Sequence, residues 1–225
     1  MVLYVGMTLN PEDFIITRKR KKYKFALFAN SRQCFEFDEW DASWRVDVVE
    51  VGAGTGQFVV ELATRHPETN YVALDVKGDR LQKGAREAEA RGLTNVRFLR
   101  ARADQLVDIF KPNSLREIWL TFSDPFPRSR SAGRRLTHPI FLNRYSGLLG
   151  SDGSLCIKHD NPEFFHWTLE QLVVEKWSII ELSFNLHESR LSDDYRILTP
   201  YEERWLGEGR ITQFTKAIRQ SPDVT

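Results

Sequence analysis

The sequence predicts an α/β protein: a seven-stranded, mostly parallel sheet with helices on both faces. Three observations carry that expectation. From Arg45 onward, short runs rich in Val, Ile, Leu and Phe alternate with segments whose apolar residues recur at helical spacing, the pattern of βα units in a parallel sheet. One of those runs ends in a glycine-rich turn that opens a helix, as at the ligand sites of open parallel sheets. The last two β-like runs are joined by a polar stretch, which suits a hairpin-like pair with one antiparallel strand.

Taken in order, residues 1–44 are irregular. They hold a dense basic run, Arg18, Lys19, Arg20, Lys21, Lys22, Tyr23, Lys24, and then an aromatic, acidic stretch from Phe35 to Trp44. This reads as a basic N-terminal arm, with the domain proper over 45–219 and a short tail over 220–225. Strands are expected over Val46–Val51, Tyr71–Asp75, Val96–Leu99, Glu117–Phe122 and Ser154–Lys158. Between them Phe58, Leu62 and Ala63, then Leu81, Ala85 and Ala88, mark the buried stripes of two helices. A helix near Glu163–Val174 follows, then β-like runs over Trp177–Phe184 and Ile211–Ala217.

With 41% hydrophobic and 28% charged residues, the 225-residue chain can bury a sizeable core, which excludes a disordered or low-complexity protein. Thirty-two Lys and Arg against 31 Asp and Glu leave a net charge of +1, so a polyanionic partner has to be met by a local patch. Two basic runs, Arg18–Lys24 and Arg128–Arg135, hold ten of those 32 cations. Cys34 and Cys156 have neither metal-ligand spacing nor the number for a disulfide framework, so no metal site is expected and a cytoplasmic location is. No apolar run approaches the roughly 20 residues of a membrane span. A monomer and a homodimer both fit.

The densest motif is Val48-Val-Glu50-Val-Gly52-Ala-Gly54-Thr-Gly56. Glycines there let the backbone turn sharply and approach a ligand. The Gly-x-Gly-x-Gly spacing departs from the dinucleotide fingerprint, and Glu50 would repel a pyrophosphate while suiting an amine-bearing or cationic ligand. S-adenosylmethionine, with its sulfonium and α-amino group, fits. Asp75, about twenty residues on, is either an acceptor for ribose hydroxyls or a helix N-cap, and Asp104 is either an adenine contact or a cap. Asp124, within Trp119-Leu-Thr-Phe-Ser-Asp124-Pro-Phe-Pro-Arg128, is either held at the active edge by the two prolines or a turn-forming residue before Pro. Arg128, Arg130, Arg134 and Arg135 then read as phosphate contacts or as a solvated loop. His159 reads as a structural strand-end residue. Thr199, Pro200, Tyr201 and Glu202 have the pattern of a capping box.

These motifs together resemble the bacterial tRNA (guanine-N7)-methyltransferases from about Thr17 to Arg219, on the glycine turn, Asp124-Pro-Phe-Pro-Arg128 with Arg134-Arg135-Leu136, Lys158-His-Asp160-Asn and Thr199-Pro-Tyr-Glu202. Phe126 stands where that family commonly has Trp, Arg128 where it commonly has Lys, and Ser131-Ala132-Gly133 replaces a more basic stretch. The resemblance implies a Rossmann-like class I S-adenosylmethionine-dependent methyltransferase fold. It implies that Glu50, Gly52, Gly54, Gly56, Asp75, Asp104 and Asp124 line the cofactor pocket, with Asp124 also catalytic. Arg128, Asp160, Thr199, Pro200, Tyr201 and Glu202 would hold the target nucleotide. Arg18, Lys19, Arg20, Lys21 and Lys22, with Arg130, Arg134 and Arg135, would meet the tRNA backbone, and the acceptor would be a guanine of the variable loop. A small-molecule or protein methyltransferase leaves the two basic runs unexplained. A non-catalytic RNA-binding domain leaves the strand-end carboxylates without a task.

Overall fold

The computed structural model describes residues 19–220, with side chains from Lys22 onward. The basic residue Arg18 and the tail 221–225 lie outside the described residues, as do the side chains of Lys19, Arg20 and Lys21. An eight-stranded sheet runs in the order β1-β4-β3-β2-β5-β6-β8-β7. Its strands are β1 (Cys34–Glu36), β2 (Val48–Val51), β3 (Tyr71–Asp75), β4 (Val96–Arg100), β5 (Leu115–Thr121), β6 (Leu149–His159), β7 (Trp177–Ser183) and β8 (Gln213–Arg219). All neighbours are parallel except the pairs that β8 makes with β6 and β7, so the expected terminal pair is present and β8 is the antiparallel strand.

The sheet has one strand more than the sequence predicts. The addition is β1, which lies at the edge and pairs Cys34 with Phe98 and Glu36 with Arg100 of β4. Three residues are too few to show a two-residue alternation. The segment expected as an arm is, from Lys22 on, packed on the domain: helix α1 (Lys19–Ala29) buries Phe28 to 2% exposure beside α3 (Gly78–Ala90). A Cβ on Gly78 would meet the Phe28 ring at 3.3 Å, so the small residue admits the close approach.

Each face of the sheet carries its own core. In β2, Val49 and Val51 join the cluster under α4 (Leu106–Ile109), α5 (Pro139–Leu148) and α6 (Pro162–Val174), while Val48 belongs to the cluster under α2 (Gln57–Arg65) and α3. The two-residue period therefore sends Glu50 to the Val48 side, beneath α2. A buried strand normally carries apolar residues on both faces, so a carboxylate there is the exception that calls for a reason. Strand order reverses between β2 and β5, which makes the carboxyl ends of these two strands the switch point at which open α/β sheets bind ligands.

Candidate active site at the carboxyl edge of β2 and β5

The chain leaves β2 through Gly52, Gly54 and Gly56, all with positive φ (77°, 58° and 72°). At Gly56 a Cβ would also lie 2.7 Å from the Phe98 ring, so the turn is closed to other residues on two counts. At Gly54 nothing stands within 4 Å of a built Cβ, and bare backbone faces open space. That space is a cleft of about 350 Å³ bounded by the glycine turn, Gln57 and Phe58 of α2, Asp79, Arg80 and Lys83 of α3, Lys24 of α1, and Thr121 and Phe122 at the end of β5. Its remaining wall is Thr199, Pro200 and Tyr201, where the hydroxyl of Thr199 accepts from the Glu202 amide to start α7 (Pro200–Leu206).

Two carboxylates stand one hydrogen bond behind the cleft wall. Asp75 accepts from the Gly54 amide and from the Lys77 amide, both at 2.8 Å. It therefore ties the glycine turn to the start of α3, and each oxygen keeps a lone pair. Burial raises its pKa. Glu50 is 1% exposed; Thr121 donates to Oε1, and Oε2 is buried with no partner among the described residues. Burial pushes this carboxyl up to about 8. Leaving one oxygen of a buried carboxylate unmatched costs free energy unless a donor arrives there. Together the pair and the bare turn suit a ligand that brings an ammonium and vicinal hydroxyls.

The other two carboxylates differ. Asp104 is part-exposed at a turn after β4, forked onto Arg102 at 2.9 Å through both oxygens, and this pairing lowers its pKa. Asp124 is exposed and has no hydrogen-bond or ion partner among the described residues. It lies between Phe122 and Phe126, both held at positive φ (51° and 39°), a strained conformation for aromatic residues.

The residues expected around the substrate separate into two kinds. Arg128, Arg130 and Arg134 are exposed and carry no ion pair among the described residues, with Arg134 over the Phe126 ring at 4.5 Å. Tyr201 is 45% exposed, with its ring 5.2 Å from that of Phe122. Three other residues expected there are bonded within the fold. Arg135 donates to the carbonyls of Pro125 and Phe126 and lies on Trp167 at 4.2 Å, so its guanidinium is committed inside the loop. Glu202 is 1% exposed, bonded to Lys158 Nζ at 2.8 Å, to His187 at 2.8 Å and to Thr212 at 2.9 Å; it anchors α7 from within. Asp160, also buried, holds Arg210 at 2.8 Å, and Arg210 lies 3.6 Å over Trp205. All three side chains are engaged within the fold, one step behind the surface on which sequence reasoning placed them.

Sequence reasoning missed Thr121, Phe122 and Lys158. Lys158 is fully buried, and burial lowers its pKa while Glu202 and the Ile197 carbonyl hold its ammonium. Strand register brings Thr121 level with Lys158 and pairs Glu50 with Trp119, so that Thr121, two residues on, reaches Glu50 on the diagonal, information that single strands do not contain.

With this geometry in place, comparison with known proteins places the chain. The family model described as a putative methyltransferase matches residues 44–214. A tRNA (guanine-N(7)-)-methyltransferase of Brevibacillus brevis is 37% identical over 162 residues, 72% of this chain and 75% of that protein. One from Bacteroides thetaiotaomicron is 32% identical over 230 residues, 92% of this chain and 90% of its own length. The chain belongs to the tRNA (guanine-N7)-methyltransferase family. Among solved structures, the 16S rRNA methyltransferase KamB superposes with a TM-score of 0.60 over 80% of this chain and 91% of its own, at 19% identity, a likeness of fold alone. The family's methyltransferase fold thus accounts for the switch-point cleft. No described helix is long and apolar enough to cross a membrane.

Proposed function

We propose that this protein transfers the methyl group of S-adenosylmethionine to nitrogen-7 of a guanine in the variable loop of tRNA. Membership of the tRNA (guanine-N7)-methyltransferase family supports the reaction, and one structural observation supports the cofactor: the buried, partnerless Oε2 of Glu50 behind a bare glycine turn. Glu50 would take the α-amino group, the turn's backbone the carboxylate side of the methionine part, and Asp75 the ribose hydroxyls through its free lone pairs. Asp104 would reach the adenine amino group with the lone pairs its Arg102 pairing leaves. The bound cofactor supplies a methyl group on a positively charged sulfur.

Nitrogen-7 of guanine has a free lone pair and loses no proton on methylation, so this chain needs no general base. Its task is alignment, a contribution that reaches about 7–11 kcal/mol in favourable cases. Asp124, exposed two residues past the cleft-lining Phe122 and without a partner among the described residues, is available to accept from the Watson–Crick edge of the base and to offset the positive charge that grows on the purine. The Phe122 and Tyr201 rings offer flat faces for the displaced base, and Thr199 and Pro200 the wall behind it. Arg128, Arg130 and Arg134, with Lys22 and the basic residues before it, would meet the phosphates. Exposing a stacked guanine costs on the order of a few kcal/mol, which these contacts would offset.

The deciding experiment is transfer of labelled methyl from S-adenosylmethionine to bulk tRNA, to ribosomal RNA, to protein and to small amines, followed by nucleoside mapping. Label in 7-methylguanosine of tRNA alone is the expected result. Label confined to protein or small amines overturns the reading, and so does label in ribosomal RNA without tRNA.

A further inference from the structure

Asp124 makes no hydrogen bond of its own among the described residues, yet the loop that carries it is tied down on both sides. On one side stands His159, 2% exposed at the end of β6. The Asn161 amide donates to its Nδ1 at 2.9 Å, so Nδ1 carries no proton; the proton is on Nε2, which donates to the Ser123 carbonyl at 2.9 Å. The neutral ring is thus fully used. On the other side Arg135 donates through Nε to the Pro125 carbonyl at 2.9 Å and through its terminal nitrogen to that of Phe126 at 3.1 Å. Both braces rest on one helix face. Phe164 lies 4.4 Å from the His159 ring and Trp167, three residues on, lies 4.2 Å beneath the Arg135 guanidinium.

We propose that His159 and Arg135 are positioning residues that hold Asp124 in place through the carbonyls on either side of it, with Phe164 and Trp167 of α6 as their shared shelf. The proposal rests on the reading of Asp124 as the group that meets the acceptor guanine. A loop with two aromatic residues at positive φ does not hold its shape unaided, and three carbonyl bonds, one from His159 at the end of β6 and two from Arg135 seated on Trp167 of α6, keep it there. Because methyl transfer depends on alignment, a shift of the loop by about 1 Å is enough to cost on the order of 100-fold in rate.

The test uses the whole protein and single-turnover methyl transfer at saturating tRNA and cofactor, with both affinities measured separately. His159→Phe keeps the ring on Phe164 and removes the donor. It is expected to slow the saturated rate about 10- to 100-fold with both affinities within about twofold of the parent. His159→Gln, whose amide nitrogen reproduces the donor to Ser123, is expected to recover most of the rate. In an Asp124→Asn background, His159→Phe is expected to slow the reaction by less than about threefold, because residues that act through one another are not additive. The proposal falls if His159→Phe runs at full rate, if His159→Gln is as slow as His159→Phe, or if His159→Phe imposes its whole factor on Asp124→Asn. A full-rate Asp124→Asn beside a slow His159→Phe removes Asp124 from the chemistry and the proposal with it, a signature distinct from failure of the brace alone. Should His159→Phe not fold, Arg135→Lys, which keeps the charge and breaks the two-carbonyl fork, is read in the same way.

Discussion

The two walls of the cleft are made of different material. The wall from β2 and β3 is backbone: three glycines at positive φ, amides tied to Asp75, and a carboxylate sealed behind Thr121. The wall from Phe122 and the start of α7 is side chain: two neighbouring aromatic rings, followed along the loop by exposed arginines and by Asp124, a carboxylate with no partner among the described residues, and propped from behind by the buried Lys158–Glu202 pair. A backbone wall is rigid before anything binds and suits a small cofactor of constant shape. A side-chain wall can be remodelled around a large, charged substrate at the cost of needing braces. The division makes a sharp claim: damage to the first wall should appear as lost cofactor affinity, and damage to the second as lost stability, rate or RNA affinity according to depth.

The largest effect should come from the deepest brace. Glu202→Ala leaves Lys158 charged and uncompensated in the core, and breaking a buried pair in this way typically costs about 3–5 kcal/mol. Urea unfolding followed by circular dichroism should show that loss in the absence of RNA. If Glu202 instead met the substrate directly, stability would hold and tRNA affinity would fall, and the second wall would have no depth.

Next in size is Asp124→Asn, which keeps the shape and removes the charge. Losing one preorganised electrostatic contact to a transition state typically costs on the order of 10²–10³ in rate. Single-turnover transfer should drop by that order while tRNA and cofactor titrations stay nearly unchanged. A variant that loses only tRNA affinity and keeps its saturated rate would make Asp124 one more docking contact.

The same contrast explains how much could be read from the chain itself. The parallel sheet, the glycine turn, Asp75 and the antiparallel terminal pair all follow from short-range patterns: apolar periodicity, a glycine spacing, a carboxylate at a strand end. What the sequence does not reveal depends on partners elsewhere along the chain. Arg135 looks like its neighbour Arg134, and only Trp167 and the Pro125 carbonyl, in three dimensions, turn it inward. Glu202 has the spacing of a surface capping box, and Thr199 does cap the helix, but Lys158 and His187 draw the carboxylate into the core. Strand β1 escapes notice because its length hides its period and only pairing with β4 makes it a strand.

On the backbone wall, Glu50→Gln should weaken S-adenosylmethionine by about 1.5–3 kcal/mol, the range for a hydrogen bond to a charged group. The proton count sharpens this. With its pKa pushed up to about 8, Glu50 is mostly protonated at pH 7 in the free protein, and an arriving ammonium favours the carboxylate. Binding at pH 7 should therefore release nearly one proton, seen by calorimetry in buffers of different ionisation enthalpy, and Glu50→Gln should abolish the release. Stability carries the matching sign. Because the folded-state pKa lies above the unfolded one, Glu50's contribution is fully present below about 4.5 and is lost as pH rises through about 8. The free protein should lose less stability over that window when Glu50 is replaced by Gln.

The smallest effect divides two neighbours of equal charge. Arg134 is exposed without an ion pair among the described residues, whereas Arg135 spends its guanidinium on two loop carbonyls and a tryptophan face. Each phosphate that a cation neutralises releases counterions, so losing one contact should flatten the plot of log affinity against log salt by about 0.7–0.9. Arg134→Gln should show that flattening with a several-fold loss of tRNA affinity at low salt and an unchanged rate at saturation. Arg135→Gln should leave the slope where it is and lower the saturated rate, because what it loses is the geometry of the loop and not a phosphate. Titrations at four salt concentrations, with a single-turnover rate at the end of each, measure both quantities on the same samples. If the two substitutions flatten the slope equally, Arg135 turns outward when RNA binds, and the boundary between brace and contact lies one residue further along the loop than the free protein shows.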